Sequence, residues 1–118
     1  GPKLPPELLL ERINRLADMV KFVSEQQHMR VSTSVLNELI EDAQLTNPPP
    51  VKGGKLLKIY YMTQADSRPP TFVFFVSDAE RISQSYARYL ERSLRGLFGI
   101  THAPMRMHFR SSHKKRRG

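Results

Sequence analysis

Five consecutive apolar residues, Phe72-Val73-Phe74-Phe75-Val76, stand directly behind Pro69-Pro70-Thr71, and no other stretch limits the fold as strongly. Proline has no N–H to give to a ladder, so a strand is expected to start at about Thr71. The run lacks period-two alternation, which predicts a strand covered on both sides and central in its sheet. Upstream, residues 55–64 are rich in aliphatic side chains and tyrosine, and residues 65–70 supply the breakers between the two runs. Together they predict a β-hairpin.

Around this hairpin the chain alternates between helical and extended signals. Pro5, Pro6 and Glu7 suit the first turn of a helix expected to run to about Gln27. Leu9, Ile13, Leu16, Val20 and Val23 share one stripe of it, while Leu8, Met19 and Phe22 lie off that stripe. Apolar surface on more than one side fits a helix that also serves a preceding domain, from which deletion of residues 1–27 is expected to leave a folded remainder. An ordinary amphipathic helix of the same domain is the other reading. Ser32 or Thr33 can cap a second helix to about Gln44, with Val35, Leu36, Leu39, Ile40 and Ala43 inward, and Asn47-Pro48-Pro49-Pro50 ends it. Gly53-Gly54 lacks the frame of a phosphate-cradling loop and is expected to be a flexible connection.

After the hairpin, Ser77 or Asp78 is the expected cap of a third helix closing at Gly99, with Ile82, Tyr86, Tyr89, Leu90, Leu94 and Leu97 as its apolar stripe. Met105, Met107 and Phe109 alternate with Arg106, His108 and Arg110, which predicts a last strand half-buried and parallel to the central one. The expected class is α+β: α-β-β-α-β, a three-stranded mixed sheet in the order first, second, third strand, helices on one face, plus an extra N-terminal helix. Residues 1–29 carry that helix, 30–110 the domain, and 111–118 a basic tail expected to be disordered.

Charge is uneven along the chain. Residues 1–50 hold five Lys/Arg against seven Asp/Glu, whereas residues 51–118 hold fourteen against four. The sheet-forming half is thus the basic half, as a polyanionic partner would require. There is no cysteine, which removes disulfides and thiolate chemistry and fits a reducing cytoplasm. No secretory signal and no membrane span are expected, because no apolar run approaches the necessary length.

Several strings, taken in order, resemble one family. Lys58-Ile59-Tyr60-Tyr61-Met62-Thr63-Gln64 followed by Arg68-Pro69-Pro70-Thr71-Phe72-Val73 is similar to the C-terminal KH-like domain of the Der (EngA) family, bacterial GTPases with two tandem G domains that assist large-subunit ribosome assembly. Arg30-Val31-Ser32-Thr33 with Leu36-Asn37, residues 85–91, and Pro104-Met105-Arg106-Met107 with Phe109-Arg110 fit in the same order. The resemblance implies a type II-like KH fold, ribosomal RNA of the 50S subunit and the tandem G domains of the same chain as partners, and GTP with Mg in the parent. It implies no cofactor, catalytic residue or small-molecule substrate within these residues, and makes the first helix the end of the preceding G domain.

The candidate site residues are basic or aromatic. If Leu57, Ile59 and Tyr61 face the helices, Lys58, Tyr60, Met62 and Gln64 face outward beside Arg106, His108 and Arg110, where charge and rings could meet phosphates and bases. Docking onto another domain, coupling its nucleotide state to ribosome binding, or a merely solvated face are the competing readings. Arg88, Arg92 and Arg95 fall with Arg81 on the outer side of the third helix, and Lys114, Lys115, Arg116 and Arg117 form a cationic tail. Gly96-Leu97-Phe98-Gly99 matches the KH Gly-x-x-Gly string, but its apolar middle predicts a helix end rather than a phosphate grip. His102, His108 and His113 are irregularly spaced without a nearby carboxylate, so no metal is expected.

Overall fold

The computed structural model describes residues 3–22, 29–98 and 103–112. In chain order it contains helix α1 (Pro6–Ala17), a short pair β1 (Lys21–Phe22) and β2 (Met29–Arg30), helix α2 (Thr33–Thr46), and a second short pair β3 (Val51–Lys52) and β4 (Lys55–Leu56). The long hairpin β5 (Ile59–Ser67) and β6 (Pro70–Val76) follows, then a 3-10 turn at Ala79–Arg81, helix α3 (Gln84–Phe98) and strand β7 (Arg106–Ser111). The main sheet has the order β5-β6-β7, with β5 antiparallel and β7 parallel to the central β6. The α+β class and the mixed three-stranded sheet with helices on one face are as the sequence implies. No described helix is long and apolar enough to cross a membrane.

The core lies between the sheet and the helices. Phe72, Phe74 and Val76 of β6 are fully buried against Leu36 and Leu39 of α2 and Leu90, Leu94 and Leu97 of α3. Two ring stacks extend this layer, Phe74 on Phe109 at 4.8 Å and Phe72 on Phe98 at 5.4 Å. Helix α1 belongs to the same cluster through Leu9, Ile13 and Leu16. It crosses α3 at Gly96, where a Cβ would stand 3.2 Å from Ile13 Cγ2, so only glycine allows the approach without a shift. Leu8 and Met19, off that stripe, remain exposed, as does Leu10.

Several local expectations need correction. The first helix stops at Ala17, ten residues short of Gln27, where the chain turns at Asp18 and Met19 and passes into β1, paired with β2. Gly53 and Gly54 are not a slack connection; at φ 61° and 74° they form the tight turn joining β3 to β4, a conformation that glycine adopts at no steric penalty. Asp78 caps the 3-10 turn, and α3 is capped by Ser83, whose Oγ accepts the Tyr86 N–H at 3.1 Å. The expected cap at Gly99 lies outside the described residues. Ser32 caps α2 as expected, accepting from the Val35 N–H at 3.3 Å.

Candidate nucleic-acid interface on the open sheet face

The helices cover one face of the sheet and leave the other open. Its composition follows from the register and from two bulges in β5. Ile59 pairs with Val76 but Tyr61 pairs with Phe75, and Gln64 pairs with Phe72 but Asp66 with Thr71, so Tyr60 and Ala65 are the extra residues. A bulge moves every later side chain to the other face. The expected outward set is therefore wrong in part: Met62 is fully buried and Gln64 faces the core side. Gln64 accepts the Val31 N–H and donates to the Met29 carbonyl, each at 2.9 Å. Tyr61, expected inside, takes the open face.

Cross-strand partners share a face, which gives three rows. The first is Tyr61, Phe75 and Arg110; the second is Thr63, Val73 and His108; the third is Asp66, Thr71 and Arg106. Tyr61 and Phe75 stack with ring centroids 4.5 Å apart and planes 14° from parallel. Arg106, His108 and Arg110 are all exposed, and at a strand rise of about 3.3 Å per residue the two arginines stand roughly 13 Å apart. Among the described residues no second layer covers the central strand, contrary to the cover on both sides that its apolar run predicts. Val73 is instead shielded to 8% exposure by its neighbours within the sheet.

The rows are not electrically equivalent. Asp66 accepts the Ser67 and Arg68 N–H groups at 2.7 and 3.2 Å. These bonds, the one from Arg68 foremost, hold its carboxyl below the usual carboxylate range, and the nearby Arg30 and Arg106 act in the same direction. The Asp66 charge offsets part of the Arg106 field, whereas the first row sets an aromatic stack beside Arg110.

The remaining candidates are dispersed. Lys58 is exposed and Tyr60 half-buried, and both line a groove with Leu45, Pro48, Pro49 and Leu56 on the α2 side of β5, away from the open face. Arg88 lines a groove beside Met105, Met107 and Phe109, whereas Arg92 lines another with Asn47, Tyr86 and Tyr89. Arg95 pairs with Glu91 at 2.9 Å and donates to the Ala103 carbonyl at 2.9 Å, tethering the approach to β7. Arg81 donates to the Lys55 carbonyl at 2.7 Å. The helical arginines therefore do not form one continuous surface. Leu97 is buried and Phe98 stacks on Phe72, so Gly96, Leu97 and Phe98 of the Gly-x-x-Gly string belong to α3 and its core contacts. Lys114, Lys115, Arg116 and Arg117, with His102 and His113, lie outside the described residues.

Sequence reasoning missed Tyr61, Phe75, Thr63 and Thr71. No side chain at Tyr60 or Ala65 signals the bulges that turn Tyr61 toward the open face.

Residues 30–110 match the family model described as KH-domain-like of EngA bacterial GTPase enzymes, C-terminal. The GTPase Der of Nitratidesulfovibrio vulgaris (strain Hildenborough) is 59% identical over 87 residues, covering 74% of this chain and 18% of that relative. That of Lawsonia intracellularis is 50% identical over 103 residues, 84% of this chain and 23% of the relative. That of Desulfitobacterium hafniense (strain DCB-2) is 46% identical over 106 residues, 90% and 24% respectively. The chain spans about a fifth of the length of these curated relatives.

Proposed function

This chain belongs to the EngA (Der) GTPase family, whose KH-domain-like C-terminal region it matches, and from that premise we propose that it binds ribosomal RNA of the large subunit through the open face of its sheet. The observation that carries this reading is the in-register row of Tyr61, Phe75 and Arg110, flanked along β7 by His108 and Arg106. Aromatic faces offer stacking that tolerates any base, and adjacent arginines offer charge to phosphates. Arg88, Arg92, Lys58 and the tail cations 114–117 add attraction that is independent of sequence.

In the proposed whole protein, GTP and Mg are held by two G domains outside these residues, and this region supplies binding rather than catalysis. The protein acts in the cytoplasm, in assembly of the 50S subunit. Residues 1–29 form the junction with the preceding G domain: α1 gives Leu9, Ile13 and Leu16 to this core and leaves Leu10 and Met19 exposed for that neighbour. Ultraviolet crosslinking of the full-length protein to large subunits should yield RNA-bound peptides from β5, β6 and β7. Crosslinks confined to other segments contradict the assignment.

A second reading, intramolecular docking that couples nucleotide state to ribosome binding, is favoured by the groove on the α2 side, where Leu45 and Leu56 are about half exposed. In that case Leu45→Glu with Leu56→Glu abolishes nucleotide-dependent compaction of the full-length protein in X-ray scattering and leaves RNA affinity unchanged. Compaction that survives both substitutions removes this reading.

A further inference from the structure

Resting on the assignment of RNA to the open face, we infer that Tyr61 is the residue that makes this face select single-stranded RNA, by stacking an unpaired base on the outer side of its ring. Phe75 has Tyr61 against one side at 4.5 Å and Arg110 in register on the other, so it is enclosed within its row. Tyr61 has Phe75 behind it and belongs to β5, an outermost strand of the sheet. Tyr61 is partly exposed and no strand of the sheet lies beyond it, so its outer side is where a guest ring would extend a column already two rings deep.

Only an unpaired base can take that place, because a base inside a duplex has both faces covered by its neighbours. Phe75 fixes the plane of Tyr61 at 14° from its own, so little side-chain freedom remains to be lost when the base arrives. The rest of the face suits the same strand. Arg110 closes the row at its far end, and Thr63 in the next row offers a hydroxyl to base or ribose edges. The row around Asp66 is the poorer place for a phosphate, since its carboxylate opposes Arg106.

The chain has no tryptophan, so tyrosine emission can be read directly, and subtracting a Tyr61→Phe spectrum isolates the Tyr61 component. The test uses the 118-residue chain with two probes of equal phosphate count, an unstructured oligouridylate and a fully paired RNA duplex. The expected result is preference for oligouridylate, quenching of the Tyr61 component by it and not by the duplex, and unaltered affinity in Tyr61→Phe. Tyr61→Leu should weaken oligouridylate binding roughly 5- to 150-fold, the range found for losing one stacked base, with the salt slope unchanged because no charge is lost. Equal affinity for both probes, or oligouridylate binding without quenching, overturns the role of Tyr61 and leaves salt-dependent RNA binding standing. No salt-dependent binding to either probe overturns the RNA reading itself, and this inference with it.

Discussion

The side-chain amide of Asn37 closes on both backbone groups of Met62, its Oδ1 accepting the N–H at 2.9 Å and its Nδ2 donating to the carbonyl at 3.1 Å. One residue on α2 thus does for β5 what a neighbouring strand would do. Gln64 extends the same arrangement by bonding the Val31 N–H and the Met29 carbonyl. The β5 edge is blunted from within, whereas at β7 exposed Arg106, His108 and Arg110 discourage pairing with another chain.

Asn37→Ala is expected to destabilise the domain by about 2–3 kcal/mol, since two partly buried backbone groups lose their partners together. Asn37→Asp keeps the acceptor but sets a carboxylate oxygen against the Met62 carbonyl, and is expected to be no milder. Denaturant midpoints at constant slope measure both.

Helix α1 provides a second test, because the structure makes it part of the core and not a removable extension. Leu16 is 1% exposed, and Leu16→Ala is expected to lower stability by about 2–5 kcal/mol. Removing residues 1–27 strips Leu9, Ile13 and Leu16 at once, and such a loss is comparable with the roughly 5–15 kcal/mol a whole domain possesses. Cooperative thermal unfolding should disappear, contrary to what the exposed apolar side of the helix implies on its own. A cooperative transition near that of the intact chain would place α1 outside this core.

Alkaline pH provides a third. Tyr86 donates its hydroxyl to the Asn47 carbonyl at 2.8 Å and Tyr89 to the Ala43 carbonyl at 2.7 Å, anchoring α3 to the end of α2. Burial raises both phenol pKa values above the ordinary tyrosine value, with Tyr89 adding to the shift at Tyr86. The folded state therefore favours the protonated phenol, and its stabilisation is complete below the unfolded value near pH 10 and is lost as pH climbs through the folded values. Denaturant midpoints should fall more steeply above about pH 10 in the wild type than in Tyr86→Phe with Tyr89→Phe. At neutral pH each substitution is expected to cost about 1 kcal/mol.

The parts legible in the sequence are those set by strong periodicity. The run 72–76, the alternation 105–110 and the stripe of α3 each dictate one element, and their order dictates the mixed sheet. The composition of the open face was less legible, because it depends on two bulges in β5. Counting back from the turn with the Ser67–Pro70 pairing places Gln64 opposite Val73 on the open face; the extra Ala65 places it opposite Phe72 in the core. Neither inserted residue has a side chain that demands a bulge. What favours them is the gain on the far side: Gln64 reaches residues 29–31, Met62 reaches the core, and Tyr61 reaches Phe75. The end of α1 was similarly hidden, since 3.6-residue periodicity persists through Val20 and Val23 even though the backbone has left the helix by Asp18.

RNA binding by the open face is tested most directly by the salt dependence of affinity for a single-stranded RNA in the wild type and in Arg106→Glu with Arg110→Glu. Both side chains point away from Met107 and Phe109, so the core and the melting temperature should be preserved. On single strands the logarithm of affinity falls with a slope of about −0.7 per neutralised phosphate. The wild type is expected to show this dependence, and the double variant to bind more weakly with a slope flatter by about one to two units. An affinity and slope unchanged by reversing both charges, in a variant that melts like the wild type, would contradict the assignment of RNA to this face.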